Sequence, residues 1–173
     1  MAIILGIDPG SRVTGYGFIS VDGNKLKYID CGCINAQSKT FPERLSKIHN
    51  ELCNLIELHA PQQAAIEEVF VGRNASSALK LGQARGAAMV ACLSHGLLIE
   101  EYSARQVKLA LVGTGAAAKN QVQYMVKALL RISDNIAEDA ADALAIAICH
   151  ANTQAGLMRI TGSKPTSKKR LSS

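Results

Sequence analysis

Residues 2–34 read AIILGIDPGSRVTGYGFISVDGNKLKYIDCGCI, and this stretch decides the fold class. Three runs in it have the composition of strands: Ala2 to Ile7, Val13 to Val21 and Lys25 to Ile34. Pro-Gly-Ser-Arg separates the first two runs and Asp-Gly-Asn the last two, and both are turn sequences because Gly and Pro supply the backbone angles of tight turns. The stretch therefore predicts a meander of three antiparallel strands.

Downstream of the meander, apolar residues recur with the periods of helices and strands in alternation. The predicted elements are a helix from Pro42 to the residue before Pro61, a strand from Gln63 to Val69, a helix from Asn74 to His95, a strand from Leu97 to Tyr102, and three helices that cover Ser103 to Leu111, about Ala117 to Arg131, and Glu138 to Ala151. This order predicts an α/β domain whose mixed central sheet is flanked by helices.

The length of 173 residues and the 48% hydrophobic content suit one domain with one substantial core, which we assign to residues 1–152. Residues 153–173 are rich in Ser, Thr, Lys and Gly, and are predicted to be a basic, disordered tail. The chain opens without a basic segment before its first apolar run and has no run of about 20 apolar residues. These features predict a cytoplasmic protein without a membrane span, and the five cysteines, odd in number and without a CxxC pair, agree with that compartment.

Charge is divided unevenly along the chain. Residues 73–131 carry eight basic and two acidic side chains, whereas residues 132–152 carry four acidic and no basic ones. Lys and Arg bind phosphates, and carboxylates bind cations. A basic middle next to an acidic cluster therefore suits a polyanion that is held beside bound metal ions, although a solvated basic surface is the plainer interpretation of the charge alone.

Acidic residues occur in apolar surroundings in three separate segments. Asp8 ends the first predicted strand, and Glu67 and Glu68 follow the apolar residues 64–66. One of the two glutamates points to the buried face of its strand; alternation alone does not say which, and we favour Glu67 because the apolar run stops at Ile66. Asp139 and Asp142 are three residues apart and share one face of the last helix. Acids in a first helical turn also complement the helix dipole, which is the alternative explanation for this pair.

Together these acids form a set of hard oxygen donors, which suits Mg²⁺ or Mn²⁺ and disfavours zinc. Their number favours two cations. Two cations can cut a phosphodiester bond without a protein nucleophile, in agreement with the lack of a convincing Ser/His/Asp or Cys/His set. On the basic side, Lys108 lies on the helix after Ser103, and Gly113-Thr-Gly115 precedes a helix with Lys119 in its first turn, where backbone N–H groups attract phosphate.

Three motifs carry a resemblance to a known family. They are ILGIDPGSRVTGYG with Asp8, AIEEVF with Glu67 and Phe70, and DAADALAIA with Asp139 and Asp142. The chain resembles RuvC-type Holliday junction resolvases over residues 1 to about 150, including NASSALKLGQARG at residues 74–86 and ARQVK at residues 104–108.

The resemblance implies a ribonuclease H-like fold and a crossover junction endodeoxyribonuclease that acts in recombination and repair. It implies a homodimer that makes two symmetric nicks in strands of like polarity in four-way junction DNA, with two Mg²⁺ ions per site and Mn²⁺ as a substitute. It also implies a branch-migration complex of the RuvA and RuvB type as partner. The long helix is the candidate dimer contact, since small residues at 82 and 86–88 allow close packing, although they equally suit packing on the sheet.

By resemblance, Asp8, Glu67, Asp139 and Asp142 are catalytic metal ligands. Lys119 is catalytic as well, and it flanks the phosphate together with Lys108. Other candidate DNA-binding residues are Phe70, which either stacks on an unpaired base or closes the core, and the cations Arg73, Lys80, Arg85 and Arg105. The three alanines at 116–118 depart from the acid-containing versions of this segment in the family, which puts the local DNA contacts there in doubt.

Three rival functions remain open from the sequence. The GIDPG opening also resembles the phosphate-binding strand of sugar kinases and actin-like ATPases, but those proteins duplicate the core and this chain is too short for two copies. A small nuclease that processes ribosomal RNA has a similar opening. A junction-binding protein without catalysis is the third alternative, which requires the loss of an acid that this chain retains.

Overall fold

The computed structural model describes residues 1–37, 40–69 and 74–161. The elements, in chain order, are β1 (Ala2–Asp8), β2 (Val13–Asp22), β3 (Lys25–Asn35), α1 (Phe41–His59), β4 (Gln63–Glu67), α2 (Ala75–Ser94), β5 (Leu98–Tyr102), α3 (Ala104–Val112), α4 (Lys119–Leu130) and α5 (Glu138–Thr161). Their order and type are those that the sequence predicted.

The five strands form one mixed sheet in the order β3-β2-β1-β4-β5. The meander β1-β2-β3 is antiparallel, and β4 and β5 continue the sheet parallel to β1. Helices cover both faces: α1 and α2 pack on one, and α5, with α3 and α4 outside it, packs on the other. The predicted α/β class with a mixed, helix-flanked sheet is confirmed.

Strand alternation divides the core into two halves and also decides where the acids point. Leu5 and Ile7 pack in the half that contains α1 and α2, whereas Ile4 packs in the half that contains α5. Since successive side chains of a strand point to opposite faces, Asp8 lies on the same face as Ile4 and therefore on the α5 side.

Two glycines let α5 approach the sheet closely. A Cβ atom on Gly6 would lie 2.0 Å from the backbone oxygen of Ala143, and one on Gly15 would lie 2.0 Å from the backbone oxygen of Asp139. Gly15 pairs with Asp8 across β1 and β2. The absence of a side chain at Gly15 thus allows the first turn of α5 to lie directly over the end of β1, which brings Asp139 towards Asp8.

Gly15→Ala is expected to destabilise the protein by about 3 kcal/mol, because the added methyl group has to displace the backbone of α5. The measurement is the free energy of unfolding in urea. Gly156→Ala is the matched control, since Gly156 lies on α5 itself with open space around it, and alanine is the better helix former. Equal stability of the two variants would mean that α5 does not depend on this close approach.

Three predicted boundaries require correction. β4 ends at Glu67 and not at Val69, and α4 begins at Lys119 and not near Ala117. The last helix continues to Thr161, so residues 153–161 belong to α5 and not to a disordered tail. The polar residues that suggested an end at Ala151 are accommodated in the helix: the Thr153 hydroxyl donates to the Cys149 carbonyl at 2.9 Å, and the Asn152 amide donates to Ala110 of α3 at 3.3 Å. The rest of the predicted tail, residues 162–173, lies outside the described residues.

None of the helices in the described part of the chain has both the length and the apolar composition that a membrane span requires.

A buried histidine joins α5 to the parallel part of the sheet. His150 is 1% exposed, accepts a hydrogen bond from the Tyr102 hydroxyl at its Nδ1 (2.9 Å) and donates from Nε2 to the Gln63 side-chain oxygen (3.0 Å). Burial lowers the pKa of His150 from 6.5 to about 4. The ring is therefore neutral in the folded protein at neutral pH.

This histidine is expected to make the protein less stable in mild acid. Between the unfolded pKa of 6.5 and the folded pKa of about 4, the unfolded chain binds a proton that the folded chain rejects, so stability falls as the pH falls. The contribution between about pH 7 and about pH 5 is on the order of 2 kcal/mol. Urea unfolding of the wild type and of His150→Gln at both pH values isolates the contribution of His150, because the variant loses only this part of the pH dependence. If the free energy of unfolding changed equally with pH in the two proteins, the assignment to His150 would be wrong.

Candidate functional site

One pocket collects all four acids that the sequence singled out, together with two of the lysines. It lies between the ends of β1 and β4 and the helices α3, α4 and α5. Its charged lining residues are Asp8, Glu67, Asp139, Asp142, Lys108 and Lys119, and its apolar lining residues are Ala104, Val122 and Ile146.

The backbone explains how these acids meet. β1 and β4 are adjacent and parallel, with Ile7 opposite Ile66, so Asp8 and Glu67 leave the sheet side by side. Within β4, Ala64 and Ile66 pack on the side of α1 and α2, and Ala65 packs on the side of α5. Alternation therefore places Glu67 on the α5 side, where it lines the pocket. The choice between Glu67 and Glu68 that the sequence left open is settled in favour of Glu67 as the pocket residue.

Asp8 and Glu67 form a hydrogen-bonded carboxyl pair. Burial raises the pKa of Asp8 to about 8, with further increases from the charges of Glu67 and Asp142, the hydrogen bond with Glu67 and the charge of Asp139. Burial also raises the pKa of Glu67, while the hydrogen bond with Asp8 opposes that increase. Two adjacent carboxyl groups resist joint ionisation unless a positive charge compensates them, and the charges of Lys119 and Lys108 act in that direction by lowering the pKa of Glu67.

Lys119 of α4 compensates the negative charge of two carboxylates on α5. Its ammonium lies 2.7 Å from Oδ2 of Asp142 and also pairs with the Glu138 carboxylate. Burial acts to lower the pKa of Lys119, but the hydrogen bonds to Asp142 and Glu138 raise it overall. Burial raises the pKa of Asp142, and the contact with Lys119 opposes the increase. Glu138 was missing from the predicted site, and its place just before Asp139 in the first turn of the helix was the signal that could have identified it.

The donor set fits a divalent cation in its chemistry. All four acidic groups are hard oxygen donors, in a half-buried pocket where their mutual repulsion calls for positive charge. Within residues 1–37, 40–69 and 74–161, no group of three or more His, Cys, Asp or Glu side chains already stands in an arrangement that could hold a metal ion. In this structure Lys119 engages Asp142, and Asp8 engages Glu67.

The remaining predicted DNA contacts are spread over several places. Lys108 lines the pocket, whereas Lys80 is exposed on α2 and is not part of the lining. Arg105 is exposed at the start of α3, and its side chain passes close to Gly115. A Cβ atom added to Gly115 would lie 2.7 Å from Cγ of Arg105. Arg85 contacts the Glu67 backbone oxygen at the end of β4 and the Glu101 carboxylate on β5. Phe70 and Arg73 lie outside the described residues, so their predicted roles stay predictions.

Comparison with known proteins identifies the family that this sequence matches. The family model described as crossover junction endodeoxyribonuclease RuvC matches residues 4–150. A protein of that name from Marinobacter nauticus is 57% identical over 166 residues, which cover 95% of each chain. Its counterpart in Francisella tularensis subsp. novicida is 51% identical over 169 residues, which cover 98% of this chain and 99% of the relative.

Solved structures agree with the sequence comparison. Thermus thermophilus RuvC in complex with a Holliday junction substrate superposes with a TM-score of 0.85 at 33% identity, over 90% of this chain and 96% of the other. The yeast mitochondrial Holliday junction resolvase, at 14% identity and a TM-score of 0.62 over 91% of this chain and 83% of the other, shares the fold. The ribonuclease H-like fold that the sequence resemblance implied is confirmed.

Proposed function

The chain belongs to the RuvC family of crossover junction endodeoxyribonucleases, and from that premise we propose that it resolves four-way DNA junctions in recombination and repair in the cytoplasm. It makes two symmetric nicks in strands of like polarity by hydrolysis at a site for two divalent cations. The observation that carries the proposal is the pocket in which four carboxylates lie beside two lysines. The relatives' shared name and the Thermus thermophilus complex with a Holliday junction substrate support the choice of DNA substrate.

The charged side chains of the pocket have two tasks in this proposal: the four acids bind cations, and the two lysines bind the phosphate. Asp8, Glu67, Asp139 and Asp142 would hold two Mg²⁺ ions, for which Mn²⁺ is a substitute, and Asp8, whose pKa burial raises to about 8, would give up its proton on binding. When bound, the two cations supply an acidified water molecule and positive charge at the leaving oxygen. Lys108 and Lys119 attract the scissile phosphate into the pocket and stabilise the negative charge that it gains. No protein nucleophile is required.

A comparison of three substrates tests this function. Binding and cutting are measured on a synthetic four-way DNA junction, on a linear duplex of the same sequence and on a structured RNA of equal length, all with Mg²⁺. Paired nicks in the junction alone are the expected result. Preferential cutting of the RNA would favour an RNA-processing nuclease, and tight binding to the junction without cutting would favour a junction-binding protein.

The outward face of α2 supports the proposal of a homodimer. Leu79, Val90 and Leu93 are 70%, 54% and 58% exposed, and side-chain atoms added at Gly82 and Gly86 would meet open space. These five positions recur at helical spacing and form one apolar stripe opposite the buried residues of α2. Two copies of this stripe would bury it and would set two pockets in a symmetric pair, which suits a substrate with paired strands. The branch-migration complex of the RuvA and RuvB type remains a proposed partner on the family resemblance.

Val90→Lys is expected to convert a dimer into monomers, because a two-fold axis along this stripe brings the two introduced charges together. Sedimentation velocity gives the oligomeric state. Leu109→Lys on α3 is the matched control, since Leu109 is 55% exposed and lies outside the stripe. If both variants sediment as the wild type does, the stripe is not the dimer contact.

A further inference from the structure

Arg85 of α2 holds the end of the strand that carries Glu67. Its Nε donates a hydrogen bond to the backbone oxygen of Glu67 at 3.1 Å, and its Nη2 pairs with the Glu101 carboxylate on β5. The Arg85 side chain is 19% exposed and the Glu101 side chain is 44% exposed, so the guanidinium is largely buried while its carboxylate partner faces solvent. One guanidinium therefore bridges the last residue of β4 and the adjacent edge strand from the α2 side.

This bridge lies on the opposite side of the strand end from the pocket. In β5, Ile99 packs with the core half that contains α1 and α2, and Tyr102 packs with the other half, so Glu101 points to the α2 side. The side chain of Glu67 points the other way, into the pocket, and Arg85 is absent from the pocket lining. Arg85 therefore contacts the backbone of Glu67 and not the space where a phosphate would bind.

Among the described residues, the sheet adds a second restraint to the peptide group between Glu67 and Glu68. β4 ends at Glu67, and the next backbone hydrogen bond to the sheet is the one from Glu68 N to the Tyr102 oxygen at 2.9 Å. A charge-assisted hydrogen bond from a guanidinium is stronger than a neutral one, and the ion pair with Glu101 fixes the direction of the donor. These contacts hold the carbonyl group of Glu67, whose carbon atom is bonded to the Cα atom that carries the carboxyl side chain.

We infer that Arg85 is a positioning residue, which aims the Glu67 carboxylate into the pocket by fixing the carbonyl group of Glu67, and that it is not a DNA contact. This inference rests on the proposed function, in which Glu67 is a metal ligand. It replaces the phosphate-binding role that the sequence suggested for Arg85. Removing residues that orient a metal ligand typically costs about 10–100-fold in metal affinity or activity, which sets the size of the expected effect.

The test separates binding of the junction from cutting. Junction affinity is measured in chelator, and single-turnover cutting is measured against Mg²⁺ concentration, for Arg85→Ala, Arg85→Lys and Glu101→Gln. Arg85→Ala is expected to slow cutting of the bound junction roughly 10–100-fold and to raise the Mg²⁺ concentration for half-maximal rate. Its junction affinity should match that of Lys25→Ala, which removes one exposed charge from β3, at the opposite edge of the sheet from β5. Arg85→Lys is expected to recover part of the rate, since an ammonium can satisfy one of the two partners but lacks the fork that reaches both.

Glu101→Gln provides the decisive comparison and preserves the size of the side chain. If Arg85 positions Glu67, weakening its ion pair slows cutting, and junction affinity rises no more than it does in Glu100→Gln, which removes the neighbouring exposed carboxylate. If Arg85 binds phosphate, the same change frees the guanidinium and tightens binding. Tighter binding by Glu101→Gln than by Glu100→Gln, or an Arg85→Ala variant that loses affinity but cuts bound junction at the wild-type rate, would overturn the inference, as would unchanged cutting by both Arg85→Ala and Glu101→Gln.

Glu67→Gln is measured in parallel because the inference depends on the role of Glu67. Active Glu67→Gln would refute the proposed function itself. Inactive Glu67→Gln together with fully active Arg85→Ala would refute only the positioning role. Should Arg85→Ala fail to fold, the Arg85→Lys and Glu101→Gln measurements decide the question.

Discussion

Asp8→Asn is expected to lower the rate of junction cutting roughly a thousandfold while the junction remains bound. The change removes one of the four carboxylates from the pocket, and metal ions contribute several kcal/mol to the stabilisation of charge in such a reaction, at about 1.4 kcal/mol for each factor of ten. Affinity for the junction in chelator should be nearly unchanged, because Asp8, with a pKa of about 8, is largely uncharged at neutral pH and the substitution removes little charge. Single-turnover cutting and binding in chelator measure the two quantities separately.

Folding and cation binding provide the controls for Asp8→Asn. Burial raises the pKa of Asp8 to about 8, so ionisation of this group opposes folding above its unfolded pKa, and the neutral Asn variant should be at least as stable as the wild type in chelator. Mg²⁺ should raise the melting temperature of the wild type more than that of the variant. Asp134→Asn, at an exposed position before α5, should cut normally. Cutting by Asp8→Asn at a rate near that of the wild type would refute the assignment of the ligand.

Lys119→Ala is expected to slow cutting by about a hundredfold and to weaken junction binding only slightly. Loss of one preorganised positive group beside a reacting centre typically costs about 10²–10³ in rate, whereas one phosphate contact among many contributes little to affinity. Lys119 already lies at the pocket and pairs with Asp142, so it is placed beside the metal ligands before the substrate arrives.

The control for Lys119→Ala is Lys127→Ala, two turns further along α4, where the ammonium donates to the Asn135 side chain at 3.3 Å. That variant removes the same charge from the same helix and should cut at nearly the wild-type rate. A Lys119→Ala variant that loses affinity tenfold or more, about 1.4 kcal/mol, but cuts bound junction at the normal rate would make Lys119 a DNA-positioning contact.

The fold and the four acids were largely predictable because each leaves a local signal. The meander follows from two turn sequences, and Asp8 and the pair at 139 and 142 are conspicuous as acids within apolar runs. The choice of Glu67 over Glu68 depended on which faces of β4 the apolar residues cover, a fact that only the packing of two core halves establishes.

Contacts between distant segments were not predictable. The pairing of Lys119 with Glu138 and the bridge from Arg85 to Glu67 and Glu101 depend on how helices dock on the sheet, and no local pattern encodes them. The end of α5 was misplaced for a related reason. Asn152 and Thr153 are poor helix formers in isolation, but the Thr153 hydroxyl donates to Cys149 one turn earlier in α5, and the Asn152 amide donates to a carbonyl group of α3 that comes within reach only when the helices pack together.

The measurement that most directly tests a metal-dependent nuclease site in this pocket is single-turnover cutting of a four-way junction by the wild-type protein, with Mg²⁺ and with chelator, each strand labelled in turn. Paired nicks that require Mg²⁺ and fall in two strands of like polarity are the predicted result. Nicks that persist in chelator would contradict the central claim, because the four carboxylates would then have no cation to hold during the reaction.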